Sequence, residues 1–197
     1  MNNAMNPKIM NLTALVVALG SLALVSCAPK TESTSITPQA MADALHSVMA
    51  ADRTIYTRQV VNRLQNEQKV ILASEHWKNE KALPLPAQMF RMGAELVQEQ
   101  GANFSYALLS IWPVNKKNGP KTDVEKTGLQ YVVDHAKTNY YAEEVLAGQR
   151  YFTAVYPDTA VSPACVTCHN GHKDSPRTDF KLGDVMGGVV IRIPLGK

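Results

Sequence analysis

The most chemically specific stretch of this sequence is Cys165-Val166-Thr167-Cys168-His169. Two thiols three positions apart reach the two vinyl carbons on one edge of a porphyrin, and the imidazole that follows meets the iron from below. The spacing predicts one covalent haem c, with Cys165 and Cys168 as thioethers and His169 as the proximal iron ligand. Three other readings compete for these residues. A thioredoxin-like redox pair needs a helix N-terminus after a parallel strand, whereas Thr159 to Ala164 reads as loop. A zinc site from Cys165, Cys168, His169 and His172 is opposed by the adjacency of Cys168 and His169 and by spacings that match no structural zinc pattern. A disulfide across two intervening residues is strained.

A sixth iron ligand must approach from the opposite face, which excludes His172, three residues along the same loop. His76, in Ser74-Glu75-His76-Trp77, is the first candidate, with Glu75 or a backbone carbonyl to fix its tautomer. His46, His135, Met89 and Met92 are the alternatives. His46 and His135 lie in amphipathic helices with polar neighbours, where a solvated histidine is the default, and methionine on a helix face usually fills core. A Met ligand raises the reduction potential relative to His. Arg150, Lys173, Arg177 and Lys181 are candidate partners for the haem propionates.

The elements that must position these residues read as α+β. From Gln39 to about Trp77 no Pro or Gly interrupts helical spacing of Met41, Leu45, Val48, Met49, Ile55, Tyr56, Val60, Leu64, Ile71 and Leu72. This predicts one long helix, or two with a break near Asp52. The pattern stops at Leu83-Pro84-Leu85-Pro86, and Pro86 opens a helix over 87–100 that Gly101 closes. Strands are predicted at 104–111, 150–156 and 188–193. Thr122-Asp123-Val124-Glu125 is a capping box starting a helix to about Lys137, and 140–147 reads as a short helix closed by Gly148. The order suits an antiparallel sheet.

The N-terminus carries Lys8 and then an apolar run from Ile9 to Val25, a signal-peptide profile. Leu24-Val25-Ser26-Cys27 resembles the lipobox of bacterial lipoproteins, in which Cys27 receives diacylglycerol and becomes the mature N-terminus. Several acyl chains at about 0.8 kcal/mol per buried methylene give stable attachment. The expected organisation is a signal peptide over 1–26, a Ser/Thr-rich flexible tether over 27–38 and one domain over 39–197. Ala28 carries no acidic retention signal, which favours the periplasmic face of the outer membrane. With 20 Lys+Arg against 17 Asp+Glu scattered along 197 residues, there is no electrostatic footprint for nucleic acid.

Beyond the haem motif, four segments carry a family resemblance. They are Leu83-Pro84-Leu85-Pro86-Ala87, Ser110-Ile111-Trp112-Pro113-Val114-Asn115 with Asn118 and Pro120, the Asn170 that extends Cys-x-x-Cys-His, and Lys181-Leu182-Gly183-Asp184-Val185 with Gly187. Together, over roughly Gln39 to Leu195, the chain resembles the PAS-like mono-haem c-type domains. The resemblance implies a PAS-type antiparallel sheet flanked by helices with covalent haem on one face. It also implies redox or small-gas sensing, or one-electron transfer to a partner protein. Some relatives use a cysteine thiolate as distal ligand; here the remaining Cys27 is committed to the anchor. No kinase, methyl-accepting or DNA-binding module is expected in this sequence, so any signal has to pass to a partner, and an electron carrier is at least as good a reading as a sensor. The alternative is a haem enzyme of peroxidase or nitrogen-oxide reductase type.

Overall fold

The computed structural model describes residues 35–196. The predicted signal peptide and Cys27 lie outside the described residues. Helix α1 (Pro38–Ile55) starts where the Thr37 hydroxyl accepts from the Ala40 N–H at 3.1 Å and Pro38 occupies the first turn, which needs no donor there. It neither breaks at Asp52 nor runs to Trp77. It passes directly into a π-helical segment, Tyr56–Glu67, closed by the Gln68 N–H on the Arg63 carbonyl at 2.8 Å. Lys69, at φ 55°, then turns the chain out of the helix. Ile71 and Leu72 therefore lie outside the helix. The Ala73 N–H is taken by the Gln65 side chain and the Leu83 N–H by the Leu72 carbonyl, both at 2.8 Å. Here β1 (Ala73–Ser74) pairs in parallel with β2 (Leu83–Pro84).

Helix α2 (Pro86–Glu99) opens on Pro86 as expected, with the Gln88 side chain accepting from the Leu85 N–H at 3.0 Å. After β3 (Ser105–Leu109), α3 (Asp123–Asp134) starts at the Thr122–Glu125 capping box read in the sequence. The next element, β4 (Tyr140–Leu146), is a strand where a short helix was predicted. Ala147 at φ 49° and Gly148 at φ 80° form the two-residue, doubly left-handed turn that joins it to β5 (Gln149–Thr159). Its alternation is hidden in sequence because Glu144 is buried and Val145 is exposed. Helix α4 (Pro163–Gly171) carries the Cys-x-x-Cys-His motif, which is therefore helical and not a loop, and β6 (Val185–Pro194) ends the sheet.

The sheet order is β3-β6-β5-β4, antiparallel throughout. The fold is α+β, a PAS-like antiparallel sheet flanked by helices. Alternation along the strands divides the core. Ala154, Tyr156, Val189, Ile191 and Ile193 meet Ala42 of α1 and Phe90 of α2. Val155 and Val190 face the other way, onto Leu129 and Val132 of α3. That helix approaches closely because Gly128 lacks a side chain: a Cβ there would lie 2.6 Å from Val155 Cγ2. A third cluster, Ala160, Phe180 and Met186 with Trp112, Cys165 and Val166, underlies α4.

The sheet-facing line of α1 and the π segment runs through Ala42, His46, Arg53, Thr57 and Val61, whereas Val48 and Ile55 of the predicted apolar stripe are exposed. Among the described residues no helix is long and apolar enough to cross a membrane.

Candidate functional site

The motif helix is fixed at both ends. Ser162 caps it by accepting from the Ala164 N–H at 3.2 Å and donates its own proton to Asn62 Oδ1 of the π segment at 3.1 Å. Arg58, one turn earlier, donates to the Val161 carbonyl at 3.1 Å. At the C-terminal end the Asn170 amide closes a pair of bonds on the backbone of Phe180. Its Nδ2 donates to the Phe180 carbonyl at 2.9 Å and its Oδ1 accepts from the Phe180 N–H at 3.0 Å. The Phe180 ring meets the His169 ring edge-on, centroids 5.9 Å apart at 90°. The Arg177 guanidinium covers Phe180 at 4.4 Å and Trp112 at 4.6 Å.

His169 is half-buried, and its Nδ1 is fully buried with no hydrogen-bond partner among the described residues. Burial pushes its pKa below the ordinary imidazole value, against a smaller opposite pull from Asp158. The ring is therefore neutral at neutral pH, the form that ligates a metal. Burial also pushes both thiols up. That direction opposes a thioredoxin-like pair, whose attacking thiol needs a depressed pKa. The strand leading into α4 is antiparallel to both its neighbours, which again is not the βαβ setting of such enzymes. Among the described residues no group of three or more His, Cys, Asp or Glu side chains converges as an ion site, so the zinc reading finds no geometry. A neutral, half-buried imidazole beside two free thiols on one helix fits a group that attaches through both sulfurs and takes the ring as ligand.

Sequence reasoning missed a largely buried ion pair whose charges act on this helix. Arg53 of α1 grips Asp158 at the end of β5 through both limbs of its guanidinium, Nη2 to Oδ2 at 3.1 Å, and the side chains are 13% and 11% exposed. Both charges act on Cys165 and on His169. The two residues are 105 positions apart; the one trace in sequence is Arg53 sharing a helical line with Met49 and Thr57.

The distal candidates are spread out. His76 is exposed on the turn after β1, 3.6 Å from Glu75, and Glu75 in turn stands 3.5 Å from His172 at the end of α4. The Glu75 carbonyl accepts from Gln88 at 2.8 Å, so this turn is latched between α2 and the motif helix. His46 stacks on Tyr156, centroids 3.9 Å apart and planes 6° from parallel, within the α1–sheet interface. Met89 and Met92 are half-buried on α2. His135 caps α3, on the opposite side of the sheet, and stacks on Tyr131.

Of the propionate candidates, Arg177 lies beside the His169–Phe180 pair and is ion-paired with Asp179 at 2.7 Å and with Asp184 at 3.7 Å. Lys173 and Lys181 are exposed on the segment that follows α4. Arg150 is not brought to the motif: it sits at the hairpin end of β5, paired with Glu143 at 2.7 Å. An open cleft of about 590 Å³ between the π segment and residues 80–82 includes no motif residue.

Residues 31–194 match the family model described as Tll0287-like: Tll0287. The chain belongs to the Tll0287-like family. The solved structure of the cyanobacterial heme-protein Tll0287 aligns with this Tll0287-like chain at a TM-score of 0.49 and 13% identity, over 82% of this chain and 98% of that one. Comparison with curated proteins gives no match.

Proposed function

We propose that this Tll0287-like protein carries one haem c on Cys165 and Cys168 and works in one-electron transfer, or in redox or gas sensing. In this reading it is tethered through Cys27 to the periplasmic side of a bacterial membrane, the outer membrane being favoured. The observation that carries the proposal is the placement of both thiols and a neutral His169 imidazole along one capped helix. The cyanobacterial Tll0287 being a heme-protein agrees with it. When bound, the haem would supply a one-electron iron couple.

The chain's own residues do the rest. Cys165 and Cys168 would offer the two sulfurs for covalent attachment, and His169 the proximal nitrogen. His76 is the distal candidate we favour, because its turn is the one held against the end of α4 by Glu75 while His46 is occupied by its stack on Tyr156. Arg177, stacked on the Trp112 and Phe180 rings beside His169, is the best placed of the four cations to meet a propionate.

The deciding experiment is expression with the leader in a host competent for cytochrome c maturation. A mass increase of one haem and a coloured product are expected, and a colourless product at bare-peptide mass refutes the proposal. A six-coordinate low-spin spectrum unmoved by carbon monoxide identifies a carrier, and ready binding identifies a sensor. His76→Ala removes the low-spin spectrum if His76 is the distal ligand. Cys27→Ser releases the protein into the soluble periplasmic fraction if that thiol bears the lipid.

A further inference from the structure

We infer that Asn170 and Phe180 are positioning residues for the His169 imidazole, fixing the rotation of its ring where the customary hydrogen bond is lacking. This rests on the haem reading above. A histidine that ligates a metal nearly always donates its other ring N–H to a carboxylate, a carbonyl or water, which sets both tautomer and ring plane. His169 Nδ1 is buried and has no such acceptor among the described residues. Something else must hold the plane.

The structure offers one contact suited to the task. Phe180, 3% exposed, presents its ring at 90° to the imidazole, and it is itself pinned by Ala160 and Met186 and by Trp112, whose ring centroid is 5.8 Å away. Packing alone would let the Phe180 backbone slide along α4. The two bonds from Asn170 prevent that. Because Asn170 follows His169 in the same helix, the arrangement is a closed loop: His169 to Asn170 by the peptide bond, Asn170 to Phe180 by donor and acceptor, Phe180 back to His169 by ring contact. The amide supplies the donor and the acceptor on two neighbouring atoms, Nδ2 and Oδ1. Aspartate keeps the acceptor alone.

There is an electronic consequence as well. A ligand imidazole with no Nδ1 acceptor is less basic, donates less to the iron and favours the reduced state.

The test compares Asn170→Ala, Asn170→Asp and Phe180→Leu with the parent in the full chain carrying its haem. Electron paramagnetic resonance of the ferric state reads the imidazole plane against the porphyrin axes, and a redox titration reads the iron. In Asn170→Ala and Phe180→Leu we expect shifted or multiplied g-values with the mass still showing one attached haem. The reduced-to-oxidised ratio at fixed potential should move by about three-fold, roughly 30 mV for a one-electron couple. Asn170→Asp should fall between these and the parent.

Parent-like g-values and titration in all three variants overturn the inference. If Asn170→Ala fails to fold, Phe180→Leu, which keeps the apolar bulk, decides the matter. If neither variant loads haem, nitrogen-15 spectra of the apo chains decide: one sharp set of His169 ring signals is expected in the parent and averaged or multiple sets in the variants, and identical sets overturn the inference. A colourless parent sinks the haem reading, whereas a coloured parent with indifferent variants sinks this inference only.

Discussion

Replacing Arg53 by methionine tests whether the buried ion pair with Asp158 ties the N-terminal helix to the sheet beside the motif. The two side chains are 13% and 11% exposed and meet through both limbs of the guanidinium. Methionine keeps much of the length and none of the hydrogen bonds, so Asp158 is left charged and out of water. Breaking one side of such a pair costs about 3–5 kcal/mol, and the residual exposure here argues for the lower end, about 3 kcal/mol. In a domain of this size that is a fall in Tm of roughly 6–12 °C. The assay is urea unfolding of the haem-free mature chain followed by circular dichroism, for the parent, Arg53→Met, Asp158→Leu and the double variant. The double variant should recover most of the loss, because it buries no unpaired charge. A loss below about 1 kcal/mol for Arg53→Met, the value of an exposed pair, would refute the reasoning.

Mild acid should destabilise the haem-free chain. Burial holds His46 and His169 below the ordinary value of 6.5, so the unfolded chain takes up protons that the folded one does not. Stability then falls as pH drops through about 6.5 and levels off below the lowered values. Thermal melts across this window check it; His46→Phe, which keeps the stack on Tyr156, should flatten the slope, and a Tm that rises on acidification contradicts the prediction. Asp43 Oδ1 accepts from Tyr141 at 2.8 Å and from Tyr156 at 2.7 Å, and Tyr156 is 1% exposed. Asp43→Ala strands the Tyr156 hydroxyl and leaves Tyr141 with the Asn139 amide alone, and should cost about 2–3 kcal/mol, against about 1 kcal/mol for Tyr156→Phe; equal losses in denaturant titrations count against this network. Gly128→Ala forces a methyl against Val155 and Tyr140 and should cost about 1–3 kcal/mol, with unchanged stability showing that α3 can simply shift outward.

The capping box at Thr122, the Pro86 helix start and three of the four strands of the main sheet were legible because each is announced by local chemistry. What escaped has physical reasons. The π segment has no periodicity distinct from an α-helix over 12 residues, and the buried line of this helical arm also carries His46, Arg53 and Thr57, so counting apolar residues found Met41, Leu45 and Met49, which pack on the core, but added the exposed Val48 and Ile55. Strand β4 hid behind an inward-facing Glu144, which is satisfied by Thr153 and Arg192, at 2.7 Å each, from strands 9 and 48 residues away. Helix α4 did carry a start signal, Ser162-Pro163, but no apolar periodicity follows it, since Cys165, Cys168 and His169 occupy the positions that would show one. Nothing local could reveal that Asn170 binds Phe180 or that Asp158 meets Arg53.

Residues 160–184 leave the sheet after β5 and return to it at β6, two strands that pair with each other at its centre. Neither of the two larger apolar clusters draws a residue from this excursion. Assembly can thus proceed in either order, the sandwich of helices and strands closing without waiting for its pigment. A chain stripped of both motif thiols should still melt as a single cooperative unit, pale but whole.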